Sequence, residues 1–139
     1  MFIGEYRHNI DAKGRLFLPV KFREKLGEEF IFSRGLDKCV CIYPVDEWEK
    51  FTAKIEELPV ARERHVRRFF FSGACEGTAD AQGRVTITQT HREMAGLQKE
   101  IVVVGNCTHI EIWAADEWDN EKQKTTNADV VQDLIELGF

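Results

Sequence analysis

The sequence predicts an α+β fold, mostly β, in which two pseudo-symmetric halves share one core. Three observations carry this. The chain repeats itself: Asp11-Ala12-Lys13-Gly14-Arg15-Leu16 returns as Asp80-Ala81-Gln82-Gly83-Arg84-Val85, an offset of 69 residues. Arg23-Glu24 and Gly27 recur as Arg92-Glu93 and Gly96 at the same offset, and Gly35 and Asp46-Glu47-Trp48 recur as Gly105 and Asp116-Glu117-Trp118 at an offset of 70. An internal repeat of this kind outranks most other signals. Second, the apolar runs are short, β-patterned and punctuated by Gly turns. Third, 139 residues make one domain's worth of chain, and a half of roughly 70 residues buries too little surface to stand alone. The chain therefore reads as one domain, 1–139, made of repeats over about 5–58 and 75–124 and a C-terminal helix over about 128–137.

The elements follow in order. Phe2 to Ile10 opens as a strand, and Asp11 to Gly14 is a turn in which Gly supplies a positive φ. Arg15-Leu16-Phe17-Leu18 is a strand with Leu16 and Leu18 on one face. Pro19 to Leu26 is a short helix, with Pro19 at its first position, Phe22 and Leu26 buried and Gly27 as C-cap. Phe30-Ile31-Phe32 and Cys39 to Tyr43 are strands split by a Gly35-Leu36-Asp37 turn. Asp46 caps a helix that spaces Trp48, Phe51, Ile55 and Leu58 and stops at Pro59. Val60 to Phe71 is a basic helix or approach segment that connects the halves.

The second half runs likewise. Arg84 to Ile87 is a strand, and Thr88 caps a helix ending near Gly96. Ile101 to Val104 and His109 to Trp113 are strands joined at Gly105-Asn106, and Asp116 caps the second Asp-Glu-Trp helix. The tail helix carries Val130, Val131, Leu134 and Leu137 on one side, a stripe expected to dock on its own domain, with a neighbouring subunit as the second reading.

A balance of 43% hydrophobic and 31% charged residues is that of a soluble globular chain. No apolar run reaches membrane-spanning length, and no signal-peptide pattern opens the chain. Four scattered cysteines do not make a disulfide scaffold, so reduced thiols and a cytoplasmic setting are expected. The net charge of −5 disfavours nucleic acid as a partner, but its distribution does not. Arg7, Lys13, Arg15, Lys21, Arg23 and Lys25 crowd the first 25 residues, and Arg62, Arg64, Arg67 and Arg68 crowd the connector, whereas residues 111–139 are acidic. A polyanion responds to the local field rather than to the total.

The repeated Asp-x-x-Gly-Arg turn carries the chemistry. The turn brings the carboxylate to the guanidinium, and an Arg so held offers a planar fork to guanine O6 and N7 or to phosphate. A β-ribbon can carry such residues into a major groove, and pre-ordering reduces the entropy lost on binding. Lys13 at the tip, with Arg7, Lys21, Arg23 and Arg92 nearby, would reach phosphates. The same pairs also read as plain turn staples, and the residues alone leave both readings open.

These residues resemble the MraZ family. Met1-Phe2-Ile3-Gly4-Glu5-Tyr6, Asp11 to Arg15 and Pro19-Val20-Lys21-Phe22-Arg23 are similar to its start, and Arg68 to Ala74 and Asp80 to Val85 to its middle. The resemblance implies AbrB/MazE-like halves forming a swapped-hairpin (double-split) β-barrel with short flanking helices. It implies a ring-shaped homo-oligomer and a nucleoid-associated transcriptional regulator of the division and cell-wall gene cluster, binding double-stranded promoter DNA at G-rich repeats. It assigns DNA contact to Asp11, Arg15, Asp80 and Arg84, to which Lys13 is added from the turn tip. Gln82 replaces the lysine in the second copy, making that turn less basic.

Other constellations weigh less. Cys39-Val40-Cys41 and Cys107-Thr108-His109 lie in or beside corresponding strands. Their spacing fits no standard zinc motif, so small buried residues, with no metal and no cofactor, are expected. His8, His65 and His91 lack partners at catalytic spacing, and no G-x-S-x-G, Walker or H-E-x-x-H motif occurs. No catalytic residue and no small-molecule substrate are expected. Phe69-Phe70-Phe71 reads as core or interface. The alternatives are an antitoxin-like DNA-binding regulator, whose disordered tail this helical stripe does not match, a small enzyme binding a phosphorylated ligand through Arg15 or Arg84, and a ring-forming scaffold.

Overall fold

A computed structural model describes residues 1–139. In chain order the elements are β1 (Glu5–Asn9), β2 (Arg15–Phe17), α1 (Val20–Leu26), β3 (Glu29–Arg34), β4 (Val40–Pro44), α2 (Val45–Glu56), α3 (Val60–Ser72), β5 (Cys75–Thr78), β6 (Arg84–Thr86), α4 (Gln89–Ala95), β7 (Glu100–Asn106), β8 (His109–Ala114), α5 (Ala115–Lys124) and α6 (Asn127–Glu136). The fold is α+β. A six-stranded sheet of order β1-β7-β8-β4-β3-β5 accompanies a two-stranded ribbon, β2-β6. All of the paired strands are antiparallel.

The ladders show why neither half is independent. Only the β3–β4 and β7–β8 hairpins lie within a half. The other four ladders cross between halves: β1 runs beside β7, β5 beside β3, β2 beside β6 and β4 beside β8. A shared apolar cluster fills one face of the sheet and includes Leu16, Phe22, Phe30, Val40 and Ile42 together with Val85, Ile87, Ile101, Val103, Ile110 and Ile112. The opposite face carries Cys41, Tyr43, Trp48, Phe70, Val102 and Trp113, covered by α2, α3 and α5. Strand alternation sorts the two sets: Val40 and Ile42 face the shared core, while Cys39, Cys41 and Tyr43 face the other way. The ladders do not close into a barrel, because β1 and β5 end the large sheet and the ribbon pairs separately.

Several local expectations need correction. Asp46 and Asp116 lie in the first turns of α2 and α5, one residue inside the helix, and form no side-chain cap. They still place negative charge at the positive end of the helix dipole. Pro19 precedes α1 as its N-cap residue rather than opening it. The β7–β8 turn is Cys107-Thr108, not Gly105-Asn106, and Cys107 takes a φ of +60°. Phe2 is outside β1 and bridges Cys107 instead. Thr88 does cap α4, its Oγ1 accepting from the His91 N–H. α6 begins with a capping box between Thr126 and Asp129, but none of its residues is buried. Its apolar stripe does not dock on its own domain: Val131 is 54% exposed, Ile135 60% and Leu137 74%.

Candidate nucleic-acid interface

The first turn is held by one carboxylate. Asp11 Oδ1 accepts from the backbone N–H of Lys13 and of Arg15, each at 2.9 Å, and Oδ2 accepts from Arg15 Nε at 2.7 Å. Backbone bonds close it, from Gly14 N to Asp11 O and from Asp11 N to Arg15 O, both 3.0 Å. Gly14 has a φ of +83°, a conformation costly for any side chain with a Cβ. The second turn reproduces the plan. Asp80 Oδ1 accepts from Gln82 and Arg84 N–H at 2.9 Å, Oδ2 accepts from Arg84 Nε at 2.8 Å, and Gly83 has a φ of +81°.

Asp11 and Asp80 are both held below the usual carboxylate range. The backbone N–H of the arginine four residues on is the main cause, and the arginine side chain and the Lys13 or Gln82 N–H add to it. Stapling and presentation are therefore compatible. The carboxylate engages the Nε edge, and neither Nη group of Arg15 or Arg84 is hydrogen-bonded within the chain. That free edge is the part of the fork that can address guanine or phosphate.

The ribbon sets the spacing of the two forks. Its register pairs Arg15 with Thr86, Leu16 with Val85 and Phe17 with Arg84. Leu16 and Val85 are buried, so alternation sends Arg15, Phe17, Arg84 and Thr86 to the outer face. Strand rise and strand separation put the Arg15 and Arg84 Cα atoms roughly 8 Å apart on the diagonal. Phe17, 51% exposed, sits directly opposite Arg84 on the same face.

Each turn also receives an arginine from the opposite half. Arg92 of α4 lies against the first turn, with Nη1 3.3 Å from the Ala12 carbonyl and Nε against Gly14. Arg23 of α1 lies against Gly83 and donates from Nε to the Leu18 carbonyl at 3.2 Å. All five sequence-selected residues, Asp11, Lys13, Arg15, Asp80 and Arg84, thus fall on the ribbon and its turns. Arg7 does not join them, because it pairs with Asp119 of α5 at 2.6 Å. The crossed placement of Arg23 and Arg92 was not legible beforehand, although their match at the repeat offset was its one signal.

A second cluster lies on the helix-covered face of the sheet. The β4–β8 register sets Cys41 opposite Glu111, and donor atoms of Cys39, Cys41 and Glu111 all lie within 4.8 Å of one another. His109 Nε2 is 3.5 Å from Glu111 Oε2. Cys41 is held below its usual value by hydrogen bonds, to Cys39 first and also to His109, against the opposing effect of burial. Burial lowers His109, but hydrogen bonds to Cys41 and Glu111 outweigh it and raise the imidazole. A Cys-His-Glu relay is not formed. Cys41 is 4% exposed, and Glu111 approaches Nε2 while Nδ1 faces Thr108 Oγ1 at 3.0 Å. No helix is long and apolar enough to cross a membrane.

Comparison with known proteins agrees with the two-half architecture. A family model described as "MraZ protein, putative antitoxin-like" matches residues 1–69 and again 70–134. A protein of Lactobacillus gasseri named transcriptional regulator MraZ is 45% identical over 99% of both chains. The Pelotomaculum thermopropionicum protein of the same name is 45% identical over 100% of this chain and 99% of its own. That of Natranaerobius thermophilus is 40% identical over 99% of both.

Proposed function

The chain belongs to the MraZ family, and we propose that it is a transcriptional regulator that binds double-stranded promoter DNA through its two Asp-x-x-Gly-Arg turns. One observation supports the DNA reading most: two arginines share the outer face of a two-stranded ribbon, each held at Nε with its Nη edge free. A β-ribbon is a recognised major-groove reader, and an arginine fork pairs bidentately with guanine, which suits G-rich promoter repeats of the division and cell-wall gene cluster. Lys13, Arg23 and Arg92 add positive charge for phosphates. We assign no catalytic role to the chain and place it at the nucleoid.

In the same reading the chain is one domain of two repeats, about 5–58 and 75–124. The ladders that cross between the halves support the exchange of strands which that reading expects, without a closed barrel. The exposed stripe of α6 (Val130, Val131, Leu134) is where a second copy packs, giving a ring whose many modest patches sum in avidity. Footprinting of bound genomic DNA, with Arg15→Ala as control and light scattering on the same samples, tests the whole reading. Discrete protected promoter sites that vanish in the variant, from an oligomer of unchanged mass, are expected. Protection that survives Arg15→Ala would remove the turns from the mechanism.

A further inference from the structure

Four potential ligands meet where the two halves join. Cys39 and Cys41 come from β4 and the residue just before it, and His109 and Glu111 from β8. Cys41 and Glu111 are partners in the β4–β8 register and also occupy equivalent positions of the repeat, 70 residues apart. Cys39 and His109 are the other equivalent pair at that offset. The set is therefore two plus two about the pseudo-two-fold, with one Cys-x-Cys arm and one His-x-Glu arm. Alternation puts all four on the face away from the shared core.

We propose that Cys39, Cys41, His109 and Glu111 form a binding site for a thiophilic divalent ion of the zinc class, seated on the pseudo-two-fold between β4 and β8. Two sulfurs, an imidazole nitrogen and a carboxylate oxygen are the donors such an ion takes in four-coordinate sites. With a Zn–S distance of about 2.3 Å and tetrahedral angles, two sulfurs stand about 3.8 Å apart. Donor atoms of Cys39, Cys41 and Glu111 already lie within 4.8 Å of one another and need only small rotations to close on the ion. His109, whose Nε2 is 3.5 Å from Glu111 Oε2, must turn further to complete the set.

The surroundings are those of oriented ligands. Glu111 Oε1 accepts from Trp113 Nε1 at 3.0 Å and Oε2 from Asn106 Nδ2 at 3.2 Å. The His109 ring stacks on Tyr43 at 4.7 Å, and Nδ1 faces Thr108 Oγ1 at 3.0 Å, leaving Nε2 toward the cluster. Outer contacts of this kind fix ligand orientation in metal sites. Cys39 also lines a surface cleft with Gly35, Asp37 and Lys38, which gives the ion an approach from solvent. On binding, the two thiols release their protons to water and the thiolates ligate. The ion would join the halves at β4–β8, a ladder of only three register pairs. This site is independent of the DNA reading and touches neither turn.

The test uses full-length reduced protein stripped with a chelator and titrated with cobalt(II), then zinc. One cobalt per chain is expected, with thiolate-to-cobalt charge-transfer absorption and the visible bands of tetrahedral coordination, both erased by stoichiometric zinc. Cys107→Ser, which removes an exposed thiol outside the cluster, should leave the titration unchanged. Cys41→Ser should remove the charge-transfer band or weaken binding at least tenfold, and His109→Gln should weaken it without removing the band. In wild type, zinc should protect two of the four thiols from a thiol reagent and raise the melting temperature, which keeps the test valid if a variant fails to fold. Wild-type protein that shows no band and no thiol protection overturns the proposal. So does a band that persists in the Cys39→Ser, Cys41→Ser double variant, or a Cys39–Cys41 disulfide as the resting state.

Discussion

The two turns share one hydrogen-bond plan and differ in what surrounds it. Asp11 and Asp80 make the same three side-chain contacts, to within 0.1 Å between 2.7 and 2.8 Å at the arginine Nε. Yet the first turn carries Lys13 where the second carries Gln82. The first is also wedged against backbone. Its Gly14 carbonyl accepts from Ile87 N at 2.8 Å, and a Cβ on Gly14 would lie 2.5 Å from the Ile87 oxygen. At Gly83 the nearest obstacle is the Arg23 guanidinium, the far end of a flexible side chain. Duplication has preserved the geometry that poses the arginine and relaxed the charge and packing around it. The arginine pose is thus the common element to test, and lysine and backbone contacts are where the turns diverge.

The largest effect is expected from the arginines themselves. Arg15→Ala should abolish specific operator binding, since each bidentate guanine contact carries about 1–3 kcal/mol of discrimination and an oligomer multiplies the loss. Arg84→Ala should act in the same direction with a smaller loss, and Asp11→Ala should fall between wild type and Arg15→Ala. The two arginine variants should keep melting temperature and oligomer mass near wild type, because each ion pair is at the surface and surface ion pairs contribute little. Asp11→Ala also loses two hydrogen bonds from the backbone and should lower the melting temperature modestly. If melting temperatures fall in step with affinity, the turns are only staples. If Arg84→Ala loses as much as Arg15→Ala, the asymmetry between turns has no functional meaning.

The glycines come next. Gly14→Ala forces an alanine into the left-handed region, roughly 1–2 kcal/mol, and drives its Cβ into a backbone oxygen that cannot rotate away. Gly83→Ala incurs the same conformational cost, but Arg23 can swing aside. Denaturant midpoints should therefore drop further for Gly14→Ala than for Gly83→Ala. Equal drops would show that the wedge against Ile87 is not rigid.

What the sequence disclosed follows from what repeats and alternation encode. The offset from Asp11 to Asp80 exposed the two halves, and the turn chemistry picked out the residues that the structure sets on one ribbon. Partnership between strands was not readable, because register is a long-range property that no single strand states. Nothing local says that β1 lies beside β7, that Arg92 crosses to the first turn, or that Cys41 faces Glu111. The Cys-x-Cys and Cys-x-His pairs were readable as lying in or beside corresponding strands, but Cys107 is in the β7–β8 turn, and the residue that meets Cys39 and Cys41 is Glu111, which no spacing names. The α6 stripe was legible as a stripe, but its expected docking failed because amphipathicity states that a face wants cover, not which surface supplies it.

Acid should reveal whether the carboxylates are equivalent. Both are held below their usual values by the same causes in the same order. Their contribution is present above the ordinary carboxylate range and is lost as pH falls through the depressed native values. The Arg15 and Arg84 Nε–H resonances should therefore stay shifted and protected through the ordinary aspartate range near about pH 3.9 and collapse together below it. Separate midpoints would mean that Lys13 tunes its turn beyond the shared hydrogen bonds.

The smallest effect, and the one that isolates a single charge, lies at the tips. The Lys13 side chain is exposed and forms no hydrogen bond within the chain, so Lys13→Gln alters the field without altering the fold. If Lys13 reaches a phosphate, its loss should flatten the salt dependence of operator binding by about 0.9 in log K per log unit of salt for each engaged copy. Base preference should stay unchanged, because phosphate contacts position the protein and do not read sequence. The reciprocal Gln82→Lys should steepen the slope by the same amount if the second turn approaches the backbone as the first does. A double variant, Lys13→Gln with Gln82→Lys, should then match the wild-type slope while moving the charge from one turn to the other. If that variant instead behaves like Lys13→Gln alone, the second turn stands away from the phosphates. The two copies would then share a pose but not a role.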